Sequence, residues 1–317
     1  MIVERITPVS LDNNQAAEYA QKAAKEYCDK KITAYKYLGG GSFGKAVRIT
    51  FEDKSSIVVK FLRAKGMLEK EVHDLSLIGK HCKIKMPKVY FARQSDAKIP
   101  VDCYGMEVIE GKPLIYDFAM YLKSKKRKIQ LAEKIAEGLH SIHECTNDKF
   151  GDTLAPEYDS WIECYKPFAK QVLDKAIKLY EKGELSFKIV DTMKKAWQKF
   201  DIIFEEKVEK ACLIHGDLNV VNIMVDKNHE PSGFIDPLNS MYADREYDLF
   251  QFYNLTGKNF YLGKIYRQKY GESKRFDDKM AFYGLWNEVY CVIKSGILVG
   301  FIMNPLVRNM KRRIKNL

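Results

Sequence analysis

In the first third of the chain the apolar residues fall into short runs with strand character. Val47, Ile49 and Phe51 alternate with Arg48 and Thr50; a turn at 52–55 follows, and then the run Ile57, Val58, Val59. A period of two in β-branched residues predicts paired strands. Segments 86–91 and 101–109 read as two more. Two helices are expected among them. One is the alanine-rich amphipathic stretch 15–29. The other spans 67–78, where Glu71, Leu75 and Ile78 share a face.

After Glu110-Gly111-Lys112-Pro113, a breaker cluster that reads as a hinge, the period becomes helical. Ile129, Leu131, Ile135, Leu139 and Ile142 mark one face of a helix over 128–145. Segments 161–181 and 187–208 read as two amphipathic helices joined by a turn at 182–185, and 282–290 is helical and aromatic-rich. Strands followed by helices predict an α+β protein. Residues 1–109 would form a small antiparallel-sheet lobe with a leading helix, five strands and one more helix. Residues 110–317 would form a mainly helical lobe. A chain of 317 residues suits such a bilobal unit.

Three motifs carry chemistry. His215-Gly216-Asp217 is followed by Asn222, in the spacing H-x-D-x-x-x-x-N, and Asp236-Pro237 comes next. A carboxylate beside a substrate hydroxyl can orient it and take its proton. An amide and a second carboxylate are hard oxygen ligands of the kind Mg²⁺ prefers while it holds nucleotide phosphates. H-G-D alone could be an ordinary turn, but the ordered set argues for phosphoryl transfer. The second motif is Gly39, Gly41 and Gly44, in G-x-G-x-x-G spacing around Ser42 and Phe43. A dinucleotide fingerprint would open a helix, whereas here a strand follows, so the backbone can close over phosphates between two antiparallel strands. The third is Lys60, at the end of an apolar run, where it can reach the α- and β-phosphates. Its carboxylate partner would be Glu71 or Glu69 from the next helix, with Glu71 on the apolar face. At the hinge the carbonyl of Glu107 and the amide of Ile109 could read an adenine ring beside Met106. The bland alternative there is a core strand ending in a turn.

Hydrophobic content of 46% and charged content of 30% are those of an ordinary globular chain. The formal net charge of +11 raises nucleic acid as a partner, but the lysines are dispersed. No basic stripe is interleaved with aromatics, so nucleic acid is not expected. The basic cluster at 308–315 reads as the end of a helix, with an interaction tail as the alternative. Seven scattered cysteines without a C-x-x-C pair fit a reducing cytoplasm. The apolar stretch 295–303 is too short to span a bilayer, and no membrane association is expected.

Taken together, residues from Gly39 to Asp248 resemble the aminoglycoside phosphotransferase and choline-kinase-like superfamily of small-molecule kinases. Asp236-Pro237 followed by Arg245-Glu246-Tyr247-Asp248-Leu249 looks most like its fructosamine kinase branch. The resemblance implies a two-lobed protein-kinase-like fold, ATP and Mg²⁺ as cofactors, and a small-molecule hydroxyl acceptor, a sugar or a glycated amine. It implies Asp217 as catalytic base, Asn222 and Asp236 as metal ligands, Lys60 on phosphate, and His215 and Asp248 as supports of the catalytic loop. Asp244 could otherwise be read as a helix cap. Fructosamine kinases typically carry tryptophan and glycine inside the catalytic loop, where this chain has Asn219, Val220 and Val221, a departure that bears on the acceptor. An antibiotic kinase is the rival enzyme, disfavoured because polycationic drugs call for acidic sites. A non-catalytic nucleotide-binding module is the rival from another class, disfavoured by the full set of catalytic-type residues.

Overall fold

The structure, a computed structural model, describes residues 3–41 and 43–317. Asp12 accepts from the amide of Gln15, whose side chain accepts from the Asp12 amide, and this capping box starts helix α1 (Asn13–Tyr27). Ala16, Ala20, Ala23 and Ala24 are buried along α1, which lets the helix lie close to a sheet. That sheet is antiparallel, in the order β1-β2-β3-β5-β4. Its strands are β1 (Ile32–Gly39), β2 (Gly44–Phe51), β3 (Ser56–Leu62), β4 (Val89–Arg93) and β5 (Asp102–Glu107). Helix α2 (Leu68–His81) precedes β4. The fourth strand begins three residues later than the sequence pattern suggests, because Pro87 has no amide to give to a ladder.

The chain then enters the larger lobe. β6 (Lys112–Pro113) pairs with β11 (Ile223–Val225), which forms a hairpin with β12 (Pro231–Phe234). Gly111 (φ +118°) permits the entry, since a Cβ there would sit 2.2 Å from the Val225 carbonyl oxygen. Helices α3 (Phe118–Leu122), α4 (Lys125–His143), α5 (Trp161–Glu181), α6 (Phe187–Trp197) and α7 (Phe200–Ile203) follow. Further on come α8 (Glu246–Leu249), α9 (Leu262–Tyr270), α10 (Phe276–Ser295) and α11 (Gly300–Ile314). The core is aromatic. Phe282 stacks on Trp286 with centroids 3.6 Å apart, and Tyr165 meets Tyr283 edge-on at 5.2 Å.

Two expectations need correction. The segment 187–208 is not one helix. It breaks after Trp197 so that Phe200 and Phe204 can turn inward, 4.5 Å apart and against Phe282. The larger lobe also carries a second five-stranded sheet that the sequence does not announce, in the order β7-β10-β13-β8-β9. It is built from β7 (Thr146–Asn147), β8 (Phe150–Asp152), β9 (Pro156–Tyr158), β10 (Ala211–Leu213) and β13 (Met241–Ala243). Strands of two or three residues are too short to show a period.

Residues 3–11 run as a strap between the lobes. Val3 is buried in the larger core and Leu11 in the smaller one. Between them the Ile6 amide donates to the Lys294 carbonyl (3.0 Å), and the Val9 amide donates to the Arg63 carbonyl (2.7 Å). Arg5 pairs with Glu184 at 2.7 Å. Among the described residues no helix is long and apolar enough to cross a membrane.

Candidate active site

The loop between β10 and β11 carries His215, Asp217 and Asn222. Gly216 adopts φ +81°, and a Cβ there would lie 2.4 Å from the Leu238 carbonyl oxygen, so only glycine lets this loop pass the chain that follows Asp236. Asp248, fully buried at the turn of α8, accepts from the amides of His215 (2.7 Å) and Gly216 (2.8 Å) and fixes the loop backbone. His143 reaches the same carboxylate at 3.2 Å, with Tyr266 on its other nitrogen at 2.6 Å. The fully buried His215 accepts the Asp217 amide on Nδ1 (3.3 Å), and burial pushes its imidazole down to about 4.

Three side-chain amides surround the Asp217 carboxylate. Asn219 and Gln251 donate to Oδ1 at 3.0 and 2.9 Å, and Asn222 donates to Oδ2 at 3.0 Å. Burial, then the charge of Asp236, pushes Asp217 up to about 8 despite the bonds from Asn219 and Asn222. Asn222 also gives Nδ2 to the Asp217 carbonyl (2.8 Å). With its nitrogen committed in this way, its Oδ1 is the atom left for a cation.

Asp236 follows β12 in a left-handed conformation (φ +61°), uncommon for a residue with a side chain. The Ile235 amide bonds the Asn222 carbonyl (3.0 Å), which sets Asn222 and Asp236 at neighbouring strand ends. The Asp236 carboxylate is half-exposed and meets the Lys60 ammonium. Lys60 in turn pairs with Glu71 at 2.9 Å, and Tyr104 donates to Glu71 at 3.1 Å. Burial opposes the lysine charge, but Tyr104, Asp236 and Glu71 together raise Lys60 well above its ordinary range. For Asp236, burial works against ionisation while Lys60 holds it below the usual carboxylate range. Glu71 is therefore the partner of Lys60, and Glu69 is exposed on the far side of α2. Lys70 fastens α2 to the chain after Asp236, donating to the Ser240 carbonyl at 2.8 Å.

The geometry of the glycine loop only partly follows the motif spacing. Gly39 has φ +119° and Gly44 packs on Lys60, its virtual Cβ 3.3 Å from Cε. Gly41 faces open space. Gly40, which the motif leaves variable, is the crowded one, with a Cβ position 2.3 Å from the Gly44 carbonyl oxygen. Phe43 is anchored by the Arg63 amide on its carbonyl (2.7 Å), and its ring lies 5.5 Å from the Lys294 ammonium. Ser42 falls outside the described residues. At the hinge, Met106 pairs with Val58 and Val89 in the sheet, and the Glu107 amide is taken by the Lys88 carbonyl (2.8 Å). Ile109 lies over Gly233, close enough that a Cβ there would meet it at 2.5 Å.

Sequence reasoning missed Gln251, Tyr104 and the His143 contact. The only local signal for Gln251 was an amide among Leu249, Phe250 and Phe252. Asp244, read as a possible cap, does accept the Glu246 amide (2.9 Å), but it is buried in an ion cluster with Lys279 (2.5 Å) and the Tyr283 hydroxyl (2.9 Å).

Known proteins share the family and the fold of this chain. A fructosamine kinase family profile matches residues 14–293. A curated relative, the chloroplastic protein-ribulosamine 3-kinase of Arabidopsis thaliana, is 28% identical over 279 residues, 80% of this chain and 77% of its own. Among solved structures, a candidate fructosamine-3-kinase from Thermobifida fusca superposes with TM-score 0.64 at 17% identity, over 92% of this chain and 98% of that one. A GDP complex of aminoglycoside 2′-phosphotransferase-IIIa superposes with TM-score 0.67 at 14% identity, over 95% and 98%. A ternary complex of APH(4)-Ia with ADP and hygromycin B gives TM-score 0.67 at 12% identity, over 93% and 97%. At such identities the structural likeness concerns the fold, a bilobal kinase-like one. With the family profile spanning both lobes, the chain belongs to the fructosamine kinase family of small-molecule phosphotransferases.

Proposed function

We propose that the protein transfers the γ-phosphoryl group of ATP, with Mg²⁺, to a hydroxyl of a small glycated amine of the fructosamine or ribulosamine type. The observation that carries this reading is the Asp217 carboxylate, oriented by three amides and facing the Lys60–Glu71–Asp236 set. In the transfer, the acceptor oxygen bonds to the γ-phosphorus, its proton passes to Asp217, and ADP leaves. Burial and the charge of Asp236 raise Asp217 above the usual carboxylate range while Lys60 holds Asp236 below it, so Asp217 is the more basic of the two carboxylates. Lys60, held by Glu71, would shift from Asp236 to the phosphates once nucleotide enters. The glycine loop and the hinge groups at Glu107 and Ile109 would hold the nucleotide between the lobes.

The residues present fit a hard divalent cation. Asn222 has its nitrogen committed and its oxygen available, and Asp236 is a half-exposed carboxylate at the adjoining strand end. Two protein oxygens suffice for Mg²⁺, which otherwise takes phosphate oxygens and water. When bound, the cation would neutralise phosphate charge and let the acidic Asp236 stand beside the nucleotide. Seven free cysteines fit a reducing compartment, and a cytoplasmic location belongs to the same proposal.

The test is ADP release on a panel of ketoamines against a no-acceptor blank. Asp217→Asn should lower kcat by about 10²- to 10⁴-fold, with nucleotide affinity largely kept. Chelation of divalent metal should abolish turnover. Full activity of Asp217→Asn would remove Asp217 as the base.

A further inference from the structure

Along α10, Glu288, Cys291 and Lys294 form one stripe at helical spacing. That stripe fronts the cleft. The Lys294 ammonium lies 5.5 Å from the Phe43 ring of the glycine loop and 5.0 Å from the Tyr290 ring. Cys291 is exposed, yet burial, then the carboxylates of Glu288 and Asp217, push its thiol up to about 12. A side chain open to solvent but crowded by protein lies on the wall of a cleft, here between Glu288 and Asp217.

Glu288 is the exception among the acids of this lobe. It is half-buried, and among the described residues its carboxylate has neither a hydrogen bond nor an ion pair. Burial alone raises its pKa. The buried acids Asp117, Asp244, Glu246, Asp248 and Asp278 all have partners in Lys112, Lys279, His143, Arg275 or Arg313. The chain has 53 Lys and Arg against 42 Asp and Glu, so counter-ions are abundant, and none is placed at Glu288. Taking a carboxylate from water without a partner is costly unless a ligand supplies the cation.

We propose that Glu288 is the cation anchor of the acceptor subsite: it binds the protonated amine of the acceptor while the hydroxyl to be phosphorylated reaches Asp217. The pairing limits the acceptor to amines in which a monocationic nitrogen and a sugar hydroxyl lie on one short molecule. This rests on the reading of Asp217 as the base. Asn219 donates to Asp217 Oδ1 and accepts from the Val221 amide, so its side chain is already committed, and Glu288 is the charged group left for the acceptor.

The experiment is calorimetric binding, with ADP and Mg²⁺ present, of an N-alkyl fructosamine and of its neutral ether analogue. For the Glu288→Gln variant, a near-isostere, affinity for the amine should fall about 10- to 100-fold, the value of a hydrogen bond to a charged group. Affinity for the ether and for nucleotide should change less than about twofold, and Glu288→Asp should recover part of the loss. Equal losses for amine and ether, no loss for either, or no binding of the amine by the unmodified protein would each overturn the anchor. Turnover by the unmodified protein separates the two readings. Glu288-dependent amine binding without any phosphoryl transfer by the unmodified protein would refute the proposed reaction and leave the anchor standing.

Discussion

Asp217 is held by neutral amides and not by cations, and the difference matters. A lysine or arginine in their place would depress its pKa, whereas amides orient it and leave it basic. The neighbouring His215 carries a consequence for stability. Its folded pKa of about 4 lies below the ordinary 6.5, because the buried ring resists charge. As pH falls through that window the unfolded chain takes up a proton that the native chain refuses, so native stability declines from pH 6.5 toward 4. The loss approaches about 3 kcal/mol at the lower end. Urea midpoints measured across this range should fall more steeply for the unmodified protein than for His215→Gln, and identical slopes would show that His215 contributes nothing.

At the level of single elements, the glycine loop separates backbone need from motif spacing. Gly40→Ala would drive a methyl group into the Gly44 carbonyl, while Gly41→Ala meets open space. Overpacking of this kind costs about 1–3 kcal/mol, so Gly40→Ala should weaken nucleotide binding by about 5- to 100-fold. Gly41→Ala should change it only marginally. Titration with a fluorescent nucleotide would decide, and equal effects at the two positions would contradict the loop geometry. The same separation holds on α2, where Glu69 and Glu71 differ only in the face they present.

Across the whole molecule, two connections set how the lobes sit. One is the hinge, braced by Arg48 on Glu110 at 2.9 Å. The other is the strap over residues 3–11, whose Val9 bonds Arg63, which itself holds Phe43 of the glycine loop. The strap thus ties the glycine loop to the end of α10, the helix that carries Glu288. Ile6→Pro removes the amide that bonds Lys294 and should broaden the interlobe distance between spin labels at positions 36 and 182, with the urea midpoint nearly unchanged. An unaltered distance distribution would mean that the strap only rests on the surface.

Much of the candidate site is legible in the sequence because it is local. The spacing from His215 to Asn222, the glycines before a strand, and Lys60 at the end of an apolar run each reflect a backbone requirement met within a dozen residues. Strand and helix periods likewise divided the chain into its two lobes. The choice of Glu71, the approach of Gln251 to Asp217 and of His143 to Asp248, and the strap join residues far apart in sequence, and such contacts leave no period behind. The short strands of the second sheet escaped for a related reason, since their pairing partners are distant. The isolation of Glu288 is wholly tertiary: a carboxylate is known to lack a partner only once the fold has placed the surrounding cations elsewhere.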